Sequence, residues 1–95
     1  MSYGTVGRVK VKKENRDKLA ETLSGQNNAS IDGFQGAWLM FPENREDEAV
    51  LVAIFENKEK YWANANDPEQ DKRYQEFSQY FDSEPEWSDG EWLQS

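Results

Sequence analysis

Residues 49–55 read Ala-Val-Leu-Val-Ala-Ile-Phe, an apolar run with no polar interruption. A half-exposed strand alternates apolar with polar residues, and an amphipathic helix repeats every three to four; this run does neither. It is also far too short to cross a bilayer as a helix. What remains is a strand covered on both faces. Its pleat puts Ala49, Leu51, Ala53 and Phe55 on one side and Val50, Val52 and Ile54 on the other. Any fold for this chain therefore has to cover that strand twice.

The other segments supply one cover readily. Residues 3–12 alternate, with Val9 and Val11 opposed to Arg8, Lys10 and Lys12, which predicts a first strand. Asn15 as N-cap and Asp17 in the first turn open a helix. Its residues Arg16, Leu19, Ala20, Leu23 and Asn27 recur at helical spacing, and it is expected to end near Asn28, loosened by Gly25. Ser30-Ile31-Asp32-Gly33 is turn chemistry, and residues 34–41 form a second strand stopped by Pro42. Period two places Phe34, Trp38 and Met40 on one face of that strand and Ala37, Leu39 and Phe41 on the other. After the third strand, residues 57–66 make a short helix carrying Tyr61, Trp62 and Ala65. Asp67, Pro68 and Gln70 then form a capping-box pattern for a helix with Tyr74, Phe77 and Phe81 on one stripe. Residues 87–93 close the chain as a short strand.

This order predicts an α+β, ferredoxin-like βαββαβ fold: one four-stranded antiparallel sheet with its helices on one face. The helices leave the other face of the third strand bare, and burying such a patch is worth roughly 25 cal/mol per Å². A homodimer whose sheets pack face to face would provide the second cover. Arg8, Leu39, Val50, Val52, Ile54 and Trp92 are assigned to that interface. Arg8 would pair there with a carboxylate such as Glu56 or Glu91.

Length and composition narrow the function. Ninety-five residues suit a single domain spanning 1–95. The formal charge of −8 repels phosphate backbones, so no nucleic-acid partner is expected. Neither a membrane span nor a signal-peptide core is visible, and the chain reads as cytoplasmic. The absence of Cys and His excludes disulfides, thiolate nucleophiles, Ser-His-Asp triads and histidine-ligated haem. Residues 41–95 carry five basic against fifteen acidic groups, either a solvated surface or a face for a basic protein partner. Glu46-Asp47-Glu48 lacks the spaced loop of a calcium site and reads as a solvated turn; no metal site is expected.

Three segments together carry a resemblance: Gly7-Arg8-Val9-Lys10-Val11-Lys12 before a helix, Asp32-Gly33-Phe34-Gln35-Gly36-Ala37-Trp38, and Val50-Leu51-Val52-Ala53-Ile54-Phe55-Glu56-Asn57 entering a helix. Over about residues 4–93 the chain resembles the antibiotic biosynthesis monooxygenase family of the dimeric α/β-barrel superfamily. The resemblance implies a homodimer with an apolar pocket between each sheet and its helices. It also implies activities seen among members: oxidation of electron-rich phenols or quinols without flavin or metal, or haem degradation. Haem-degrading members use a proximal histidine that this chain does not have. They also carry a strand-end tryptophan where Phe55 stands, and a first-strand asparagine where Thr5 or Gly7 stands.

A cofactor-free oxygenase must bind a flat aromatic, help remove a phenolic proton and stabilise the anion that meets dioxygen. Candidate walls are Trp38, Phe55, Tyr61, Trp62 and Tyr74, although a domain this small also needs such bulky side chains as core filling. Asn64 and Asn66 could donate hydrogen bonds or simply end a short helix. Gly7, Ala49 and Ala53 are small enough to leave a cavity beneath the helices, or to let them pack closely. The leading expectation is a monooxygenase-like protein with no cofactor, binding a small aromatic or quinol. The alternative is a non-catalytic ligand-binding or structural homodimer of the same fold.

Overall fold

The computed structural model describes residues 1–26, 28 and 30–95. Its elements run β1 (Ser2–Lys10), α1 (Arg16–Gly25), β2 (Phe34–Met40), β3 (Glu48–Phe55), α2 (Lys58–Ala65), α3 (Pro68–Ser78) and β4 (Glu86–Trp92). The strands form one antiparallel sheet in the order β2-β3-β1-β4, which puts the wholly apolar β3 inside. This is the predicted ferredoxin-like arrangement.

Register decides the faces. Tyr3, Thr5, Gly7 and Val9 of β1 pair with Phe55, Ala53, Leu51 and Ala49 of β3, and this set lies under the helices. Val9, Val11, Leu19 and Ala49 are the centre of the core, none more than 3% exposed. Phe77 and Phe81 pack against that centre, as their helical spacing predicts. On the opposite, open face lie Gly4, Val6 and Arg8 of β1 beside Ile54, Val52 and Val50 of β3.

Strand β2 departs from simple alternation. A bulge between Phe34 and Gly36 lets Phe34 pair with Phe55 while Gly36 pairs with Ile54. Phe34 therefore joins the helix-covered face, its ring edge-on to Phe55 with centroids 5.6 Å apart, and not the face of Trp38 and Met40. Leu39 also corrects the expected interface. It pairs with Leu51 and packs on the core beneath the helices, so the open face of β2 is made by Trp38 and Met40, 56% and 50% exposed.

The helix ends follow local chemistry, with two changes. A 3-10 turn, Lys13–Asn15, runs into α1, so Asn15 has helical backbone angles and its side chain makes no capping bond. Helix α1 stops at Gly25, short of Asn28, and Asn27 lies outside the described residues. Asn57 caps α2 by accepting from the Lys60 amide at 2.9 Å, and Asp67 caps α3 by accepting from the Glu69 amide at 2.9 Å. The reciprocal half of the capping box does not form, because the Gln70 side chain is engaged elsewhere. Gly33, at φ 78°, makes the left-handed turn into β2, and its carbonyl accepts from the Glu56 amide.

Candidate functional site

Between the sheet and the helices lies a cavity of about 400 Å³, lined mostly by apolar side chains. Small residues on the sheet leave the room: Ala37, Ala53 and Thr5 form part of its floor. Gly7 makes room differently, since any Cβ there would collide with the Trp87 ring, which lies across it. Phe55, Tyr61, Trp62 and Tyr74, all anticipated as walls, line the cavity together. Tyr61 and Tyr74 each centre a set of ring contacts, edge to face except the tilted pair with Trp87. Tyr61 meets Phe55 at 5.8 Å and Trp62 at 5.0 Å, while Tyr74 meets Phe81 at 6.0 Å and Trp87 at 6.1 Å.

Trp38 borders the cavity as well, but its ring projects from the open face and covers Gly36. Asn66 corrects the sequence reading. It ends α2, its amide bonded back to the Trp62 carbonyl, and is not part of the lining; of the two α2 asparagines it is Asn64 that reaches the cavity. Arg8 lies on the open face, in register with Glu86 of β4.

Two polar clusters interrupt the apolar wall. In the first, the Tyr61 hydroxyl donates to Asp89 Oδ1 at 2.9 Å, and the buried Thr5 hydroxyl nearby donates to the Ser88 carbonyl at 3.2 Å. Burial, reinforced by the Asp89 carboxylate, pushes the Tyr61 phenol up to about 12, so at neutral pH it is a neutral donor. The Tyr74 hydroxyl is also pushed up, chiefly by burial. In the second cluster Arg73 Nε donates to Gln70 Oε1 at 3.1 Å and Arg73 Nη2 donates to Asn64 Oδ1 at 3.1 Å. Asn64 Nδ2 closes the ring by donating to Gln70 Oε1 at 3.2 Å. Asn28 adds a buried side-chain oxygen with no partner among the described residues.

Asp89, Gln70 and Arg73 are the site residues that sequence reasoning missed. A signal existed on α3. Residues 70, 73, 74, 77 and 81 share one stripe, and two polar residues stand in it among aromatics. Asp89 alternates with Trp87 on β4 and so shares its face.

No family model matches the sequence, and no curated protein is detectably similar to it. Solved structures do match. A candidate antibiotic biosynthesis monooxygenase from Caulobacter crescentus superposes with a TM-score of 0.79 at 10% identity, covering 98% of this chain and 91% of that one. Another from Bordetella bronchiseptica gives 0.81 at 9% identity, covering 98% of each chain. SnoaB, a cofactor-independent oxygenase from Streptomyces nogalater, gives 0.75 at 14% identity, covering 99% of this chain and 95% of its own. At such identities the likeness is one of fold, and it extends over nearly the whole of each chain: this protein has the α+β, ferredoxin-like fold of the antibiotic biosynthesis monooxygenase-like proteins.

Proposed function

We propose that this chain is a single-domain, cytoplasmic, homodimeric oxygenase that takes a small aromatic phenol or quinol into the cavity and uses no cofactor. The observation that carries the reading is the Tyr61–Asp89 pair set into an aromatic-walled cavity. The fold shared with SnoaB supports it.

The chemistry follows from what each group can do. Phe55, Tyr61, Trp62 and Tyr74 hold a flat ring system. The Asp89 carboxylate accepts the phenolic or benzylic proton, and Tyr61, which stays protonated, turns its O–H to the resulting oxyanion. Asn64 and Asn28 offer further amide contacts to ring oxygens. The anion itself supplies the electrons. Oxidation of a ring CH₂ to a carbonyl by one O₂, with release of one water, balances without an external reductant.

The homodimer rests on the open face of the sheet, where Trp38, Met40 and Val52 form an apolar surface with Arg8 and Trp92 around it. A second copy presents the same surface, and two sheets can pack about a two-fold axis.

Oxygen uptake by the purified protein with anthrone-type and naphthoquinol substrates tests the reading. Saturable uptake is expected, with kcat about 100-fold lower in Asp89→Asn, the scale of losing a general base. Binding of these compounds without any uptake would favour the non-catalytic ligand-binding homodimer.

A further inference from the structure

The second polar cluster is unusual in its charge. Arg73 is half-buried at the cavity, and both of its hydrogen-bond acceptors, Gln70 and Asn64, are neutral amides. Amides fix the plane of a guanidinium without cancelling its charge. The chain carries nineteen acidic residues, yet no ion pair to Arg73 occurs among the described residues. Glu76, three residues along α3, instead accepts from the Gln26 amide at 3.2 Å, and the same amide group donates to the Arg73 carbonyl at 3.1 Å. Asp71 borders the cavity but is exposed and makes no ion pair with Arg73. A guanidinium has five N–H groups, and the ring of amides uses one at Nε and one at Nη2. Both hydrogens of Nη1 and the second of Nη2 have no acceptor among the described residues, which leaves the two-pronged edge that matches a carboxylate.

We propose that Arg73 anchors a carboxylate carried by the aromatic ligand, so that the cavity selects aromatic acids over neutral arenes of the same shape. This rests on the reading of the cavity as an aromatic site. It adds to it a charged handle on α3, tied to α2 through Asn64. The ligand would lie with its rings against Phe55, Trp62 and Phe77 and its acid on the Nη1–Nη2 edge.

Calorimetric titration of the full chain with 2-naphthoate and with 2-naphthamide tests it, since the two probes share a ring system and differ in charge. The acid is expected to bind at least ten-fold tighter. In Arg73→Gln the ratio of affinities should fall to about one, whereas Arg73→Lys, which keeps the charge, should retain part of the preference. In the unmutated protein the Arg73 Nε–H resonance should shift on addition of the acid, a readout that needs no variant. Equal binding of acid and amide, or a preference that survives Arg73→Gln, would overturn the anchor while leaving the aromatic cavity intact. Failure of both probes to bind would overturn the cavity reading and the anchor with it.

Discussion

Single side chains set the chemistry of the cavity, and Tyr61 illustrates how. Its folded pKa is raised to about 12 from an ordinary value near 10, mainly by burial. The protonated form is therefore favoured by folding, and the stability it contributes is whole below pH 10 and lost as the pH climbs through about 12. An ultraviolet titration should show a phenol ionising near pH 12, and Tyr61→Phe should remove that late phase. Residues of this kind are poorly legible in sequence. Asn64 and Asn66 are the same residue type two positions apart, and only the turn of α2 decides that one reaches the cavity and the other ends the helix. Asp89 reads as one acid among many until β4 pairs with β1 and sets it beside Tyr61.

Elements were more legible, because periodicity survives without tertiary context. The apolar run of β3 demands an interior strand, and the Asp67-Pro68 start of α3 carries its own capping chemistry. Periodicity fails where a strand inserts a residue. Counted at period two, Phe34 belongs with Trp38, and the bulge at Gln35 sends it to the other face. Deleting Gln35 should restore regular pairing and keep Phe34 opposite Phe55 on the helix-covered face. Phe34→Ala, by contrast, removes that aromatic contact and is expected to cost about 2–3 kcal/mol, readable as a lower urea midpoint at unchanged slope. The ring formed by Asn64, Gln70 and Arg73 spans the junction of α2 and α3, so no single-element pattern could reveal it.

At the scale of the molecule, the open face argues for a second copy of the chain. Val52 sits in the middle of that face, paired with Val6 and Trp38. In the proposed homodimer Val52→Asp would place an unpaired carboxylate between two sheets, and the expected outcome by sedimentation is a dimer for the parent chain and a monomer for the variant. A variant that still sediments as a dimer would move the interface elsewhere. The general face assignment was legible from β3 alone, whereas Leu39 was misplaced because the side chains of β2 had to be matched to β3 before their direction was known. The strand order has a kinetic consequence too. Thr5 and Asp89, which bring the cavity floor and Tyr61's partner together, come from opposite ends of the described chain. Closing contacts so distant in sequence costs the most chain entropy, so this junction is expected to form late in folding. An aromatic bound in the cavity should then slow unfolding and leave the folding rate almost untouched.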